Sequence, residues 1–183
     1  MSETTSRPVP EVSIIPLSGD ALEAHLDALS AILVASVDAG AAISFLQPLD
    51  PLAARAFWTE NVFPQVRRGN RVLLAVVSGD TTVGTVQLET RLPPNQPHRC
   101  EVSKMAVHPH HRRRGIARSL MQALEGHARA RGKTLITLDT KTGDAAQSLY
   151  ASLGYAEAGI VPGFALDPDG KAFHSTTYMY KTL

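Results

Sequence analysis

Two hydrophobic periods alternate along this chain, one near 3.6 residues and one of two, and their order lays out its elements. Residues 12–16 form a short strand. Leu22, Leu26, Leu29, Leu33 and Val37 then mark one face of a helix. Asp20 starts it, Glu23 is spaced to complete a capping box, and Gly40 ends it. Asp50-Pro51 opens a further helix with a cap followed by a first-turn proline. Phe57, Trp58 and Val62 are its anchors, Trp58 as a core residue, and Pro64 is expected to kink or shorten it. Residues 71–77 and 82–90 alternate as strands around the hairpin signal Ser78-Gly79-Asp80-Thr81. A proline-rich loop over residues 91–98 leads into a strand at 99–107.

After Pro109 the period changes again. Ile116, Leu120, Leu124 and Ala128 form a fourfold stripe, and Gly132 stops the helix. Residues 134–139 are β-rich, and 144–153 form a shorter helix with Asp144 at its start. Residues 155–161 and 173–181 close the chain as strands around the turn Asp167-Pro168-Asp169-Gly170. A helix lying between the strands ending at Val107 and beginning at Thr134 requires a crossover, so those two strands run parallel while the others pair antiparallel. The fold class is therefore α/β (α+β), a mixed and mostly antiparallel sheet with helices on both faces.

Composition narrows the class without redirecting it. With 183 residues, 44% hydrophobic and 19% charged, the chain reads as one globular domain, residues 1–11 forming a loose tail. A net charge of +1 gives no general field for nucleic acid. The single Cys100 excludes an internal disulfide and suits a reducing compartment, as packing more than as a nucleophile. The first twelve residues lack a signal peptide's apolar core. The apolar stretch 26–46 is interrupted by Asp27 and Asp38, against a membrane span. A cytoplasmic protein, monomer or homodimer, is expected.

Chemistry concentrates between residues 102 and 120. The first amides of a helix have no intrahelical partner, and the helix dipole makes that end electropositive. Gly115 and Ala117 leave this backbone accessible, and Arg112, Arg113, Arg114 and Arg118 surround it with positive charge. Such an arrangement cradles a phosphate or diphosphate. A basic run is also what a nucleic-acid patch looks like, but this one has no interleaved aromatics and no docking motif. His108, His110 and His111 lack further ligands nearby and are read as loop residues, not a metal site.

Arg112-x-x-Gly115-x-Ala117, after Met105-Ala106-Val107-His108-Pro109, resembles the pyrophosphate-binding signature of the GNAT superfamily of N-acetyltransferases. The predicted order of elements is similar to the GNAT fold over nearly the whole chain. The resemblance implies acetyl-CoA as co-substrate and a splay between the parallel strands that admits its pantetheine arm. It implies cofactor contacts from Met105, Ala106 and Val107, from Arg112, Arg113, Arg114, Gly115, Ile116, Ala117, Arg118 and Ser119, and from Gln147 and Tyr150 on the next helix. Ala146-x-x-Leu149-Tyr150-x-x-x-Gly154-Tyr155 matches the family's second motif, implying Tyr150 as the acid for the thiolate leaving group. Gly143 stands where the family often has asparagine. Glu101 and Asp139, at neighbouring strand positions, are both candidates for the base that takes the amine's proton.

A narrower set of residues resembles the tabtoxin-resistance branch of that superfamily: residues 40–45, Leu138-Asp139-Thr140, residues 150–155, residues 162–170 and the ending Tyr180-Lys181-Thr182-Leu183. It implies a small amine, a metabolite or a β-lactam peptide toxin, beneath the apolar loop 40–48. Loops of that kind more often cover a site than float in water. A protein acceptor (lysine or N-terminus) and a non-catalytic acyl-CoA sensor are the other readings.

Overall fold

The computed structural model describes residues 12–183, and the tail expected over residues 1–11 lies outside them. The strands are β1 (Val12–Pro16), β2 (Arg71–Ser78), β3 (Thr81–Glu89), β4 (Arg99–Val107), β5 (Leu135–Lys141), β6 (Ala156–Leu166) and β7 (Phe173–Thr182). They form one open sheet in the order β1-β2-β3-β4-β5-β7-β6. Every neighbouring pair is antiparallel except β4 and β5, which are parallel. The expected mixed sheet is therefore present, its parallel pair bracketing the crossover helix.

Alternation on the central strands feeds two cores. Val72, Leu74 and Val76 of β2 point to one face, where α5 (Ile116–Arg129) and α6 (Ala145–Ser152) pack. Leu73 and Ala75 point to the other, covered by α1 (Ala21–Ala24), α2 (Leu26–Asp38) and the helical run from Pro51 to Arg67. In α5 the predicted stripe is buried in full: Ile116, Leu120, Leu124 and Ala128, with Met121 beside them. Burying a leucine of this kind contributes about 1.5–3 kcal/mol.

Local chemistry departs from expectation in three places. Asp20 has helical dihedrals and makes no side-chain cap bond, so the capping box does not form. Glu23 instead pairs with Arg67 across the helical layer, and the expected single helix is broken at His25 into α1 and α2. Pro64 does not end its helix. The run passes from α3 (Pro51–Ala56) through a π-helical turn (Phe57–Val62) into α4 (Phe63–Arg67). Phe63 donates its amide to the Trp58 carbonyl, five residues back, and this wider turn accommodates a residue with no amide of its own. Trp58, Val62 and Phe63 remain fully buried. Finally, β6 continues past Val161 to Leu166, taking in Pro162 and Gly163. An edge strand tolerates proline because its outer amides need no partner, and register irregularities absorb the glycines.

One buried ion pair locks α5 to the far side of the sheet. The Lys181 ammonium on β7 donates to both Glu125 carboxylate oxygens at 2.8 Å and to the Leu153 carbonyl at 2.7 Å. Glu125 is 5% exposed. Glu125→Ala strands a half-buried ammonium, and a loss of about 3 kcal/mol is expected. Urea unfolding should show most of it recovered in Glu125→Leu/Lys181→Met, where neither charge remains.

Candidate active site

β4 and β5 pair only through Arg99 with Leu135, Cys100 with Ile136 and Glu101 with Thr137. Beyond Glu101, the β5-facing edge of β4 has no strand beside it. A cleft of about 730 Å³ opens there, running from the first turn of α5 past Val102–Val107 to Asp139 and Tyr150. Residues Gly40–Ser44 and the end of α2 roof it.

Three local features hold the cleft open. On the β3 side, Gln87 pairs with Ser103 and Thr85 with Ala106, so Val86 faces both Lys104 and Met105. This bulge puts Lys104 at φ +51° and sharpens the local twist. Gly84 on β3 lies under the first turn of α5. A Cβ there would meet Ile116 Cγ2 at 3.3 Å and the Ala106 carbonyl at 3.4 Å, so a bare backbone lets the helix sit directly on the strand. Arg112 donates from Nε to the Val107 carbonyl at 3.1 Å, pinning the loop to the end of β4.

The start of α5 meets the requirements of a diphosphate site. Gly115 takes φ +80° with open space where a side chain would be. Ser119 is the first residue whose amide closes a helical turn, onto the Gly115 carbonyl at 3.1 Å. The amides before it have no such partner, as expected at a helix N-terminus. Arg113 and Arg118 line the same end, and Arg118 also donates to Ser152 Oγ on α6 at 2.8 Å.

Of the residues anticipated from sequence, Met105, Ala106, Val107, Arg112, Arg113, Gly115, Ile116, Ala117, Arg118, Asp139 and Tyr150 line the cleft. Arg114, Ser119, Gln147 and Glu101 do not. Gln147 accepts from the Gly143 amide at 2.6 Å, bracing the turn before α6. Glu101 accepts from Arg99 at 3.0 Å, and Arg99 also donates to Thr137 Oγ1 at 2.6 Å. Tyr150 is 6% exposed, its ring 5.8 Å from that of Tyr155. Burial first, then Asp139 and Asp144, push its phenol above the ordinary tyrosine range. Burial likewise raises the Cys100 thiol to about 11, which makes it an inert packing group at neutral pH. Among the described residues, no cluster of metal-ligating side chains is present. No helix among them is long and apolar enough to cross a membrane.

Residues 41–155, which contain the splay, both motif segments and residues 41–44 of the roof, match the acetyltransferase (GNAT) family. The chain belongs to that family. It is thus an acyltransferase by family. Among curated proteins, it is 34% identical to rat (Rattus norvegicus) N-acetyltransferase 8B over 84 residues, 45% of this chain. It spans only 38% of that relative's length. The yncA structure from Salmonella typhimurium, determined with its cofactor acetyl-CoA, superposes with a TM-score of 0.75 at 22% identity, covering 94% of each chain. The ribosomal-protein-alanine N-acetyltransferase of Brucella melitensis gives 0.76 at 26% identity, over 93% of this chain and 99% of that one.

Two features of this GNAT cleft are absent from the sequence reading. Lys104 lines it and donates to Ser44 Oγ at 2.9 Å, fastening the bulge to the roof. The polar pair Ser103-Lys104 interrupts the alternation of β4, which is how a bulge shows in sequence. Gln47 fastens the roof at its other end. Its side chain donates to the Val37 and Asp38 carbonyls at 2.6 and 3.0 Å, and its amide to the Pro168 carbonyl in the β6–β7 loop at 2.7 Å. Gly84→Val should lift the first turn of α5, lowering stability by about 1–3 kcal/mol. It should also shrink the thermal shift given by acetyl-CoA, measured by differential scanning fluorimetry.

Proposed function

We propose that this GNAT enzyme moves the acetyl group of acetyl-CoA directly to the primary amine of a small metabolite or toxin, a tabtoxin-like β-lactam peptide being one such acceptor. The observation that carries the reading is the single roofed cleft, which joins the amide-rich start of α5 to Tyr150 and Asp139. A roof over residues 40–44 suits an enclosed small molecule better than a polypeptide lying across the sheet.

When bound, acetyl-CoA supplies the acetyl group as a reactive thioester. The α5 amides with Arg112, Arg113 and Arg118 hold its diphosphate. The free edge of β4 at Met105 to Val107 offers backbone groups to the pantetheine arm and an N–H to the carbonyl. Asp139 faces the incoming amine, whose ammonium form has a pKa of about 10.4 and must lose a proton before attack. Glu101, held by Arg99, is the alternative base, one step further along the sheet. Tyr150 donates its proton to the departing sulfur. Its raised pKa keeps the phenol protonated past pH 10, so loss of the Tyr150 proton contributes no alkaline fall in rate below that point. A cytoplasmic setting agrees with the free thiol of Cys100.

The Brucella neighbour, by its name a ribosomal-protein-alanine acetyltransferase, favours a second reading, a protein N-terminus as acceptor. A screen of small amines and N-terminal peptides with free-thiol detection separates the two. Turnover confined to the protein N-terminal peptides would overturn the small-amine reading. Saturating acetyl-CoA at about a hundred times its Kd should stabilise the protein by roughly 2.7 kcal/mol. Tyr150→Phe should lower kcat by about 10²-fold or more while preserving that stabilisation; unchanged kcat would remove Tyr150 from the acid role.

A further inference from the structure

Lys104 is a charged group at the splay that the reaction above leaves unused. It shares the cleft with Asp139, and the two feel one another. Burial lowers the Lys104 pKa, the Asp139 carboxylate raises it, and Arg71 lowers it again. Yet no salt bridge joins them, although the other charges on this face of the central strands are paired. Arg71 holds Glu89 at 2.9 Å, Arg99 holds Glu101 at 3.0 Å, and Lys141 holds Asp167. Among the described residues, Lys104 and Asp139 have no ionic partner in the protein.

Hydrogen-bond donors are also in excess around Lys104. Arg71 Nε and Gln87 Nε2 are buried without an acceptor, and Gln87 stands in register with Ser103, the residue before Lys104. The two orphaned donors do not line the cleft, but Lys104 does, and a partly desolvated ammonium is costly unless something anionic meets it. Lone opposite charges that share a cleft without touching are complementary to a ligand carrying both signs at its two ends.

Building on the acetyltransferase reading, we infer that the acceptor is a zwitterion, its amine toward Asp139 and a carboxylate or equivalent anion toward Lys104. Amino acids and short peptides with a free carboxylate are the matching class. Lys104 is then a specificity residue, selecting the acceptor without entering the proton transfers.

Matched acceptors test this: amino acids and dipeptides against their C-terminal carboxamides, with CoA release followed by free-thiol detection. The wild-type enzyme should favour the carboxylate form in kcat/KM by about tenfold, the value of one charge-assisted contact. Lys104→Met should erase that ratio, and Lys104→Glu should reverse it. A wild-type ratio near one overturns the inference, with or without folded variants, and so does a ratio that Lys104→Met leaves intact. Acetyl-CoA binding with no small amine acetylated in either series would instead overturn the underlying small-amine reading, and the inference with it.

Discussion

Two parallel strands that share only three residue pairs are the constraint on which this molecule depends. A sheet normally satisfies the amides and carbonyls on both sides of an interior strand. Here the β5-facing edge of β4 beyond Glu101 is left without a strand, and the cleft takes its place. The crossover through α5 makes the pair parallel, and the same helix begins at the mouth of the gap. Topology therefore brings an electropositive helix start and an unpaired strand edge together without any designated side chain.

Keeping such a gap open in a close-packed protein takes opposing supports. Gly84 lets α5 sit close on the β3 side, Arg112 ties the loop to the end of β4, and the Glu125–Lys181 pair fixes the body of α5 against β7. On the opposite face, α2 and its following loop supply the roof. The arginines are less uniform than their cluster suggests. Arg112 is partly spent on the backbone and Arg118 reaches α6, while Arg113 lies at the cleft with no such tie. What looks in sequence like one patch of charge divides into two cleft arginines tied to the fold, one untied, and Arg114 outside the lining.

That division marks the limit of what the residues disclosed in one dimension. Periodicity made the strand at 99–107 and the stripe of α5 legible, because burial there is repeated, and the strand at 12–16 was legible although none of its residues is buried. Chemistry with a fixed spacing, the Arg112 to Ala117 signature and the Tyr150 segment, was legible too. The π-helical turn at Phe57–Val62 was hidden, because Pro64 forbids the ordinary hydrogen bond without saying which adjustment replaces it. Asp20 and Glu23 had capping-box spacing, but Arg67, remote in sequence, claimed Glu23. Lys104 and Glu101 exchanged prominence for a similar reason: Arg99 occupies Glu101, and only the folded sheet shows which carboxylate and which ammonium remain unclaimed.

The Gln47 link joins two segments separated by 120 residues of chain: its side chain closes the end of α2 while its amide holds Pro168. The segment that carries the roof and the β6–β7 loop, which does not itself line the cleft, are thereby tied through one residue. A change in the length of the β6–β7 loop would therefore be transmitted through Gln47 to the segment that carries the roof, without touching the cleft directly.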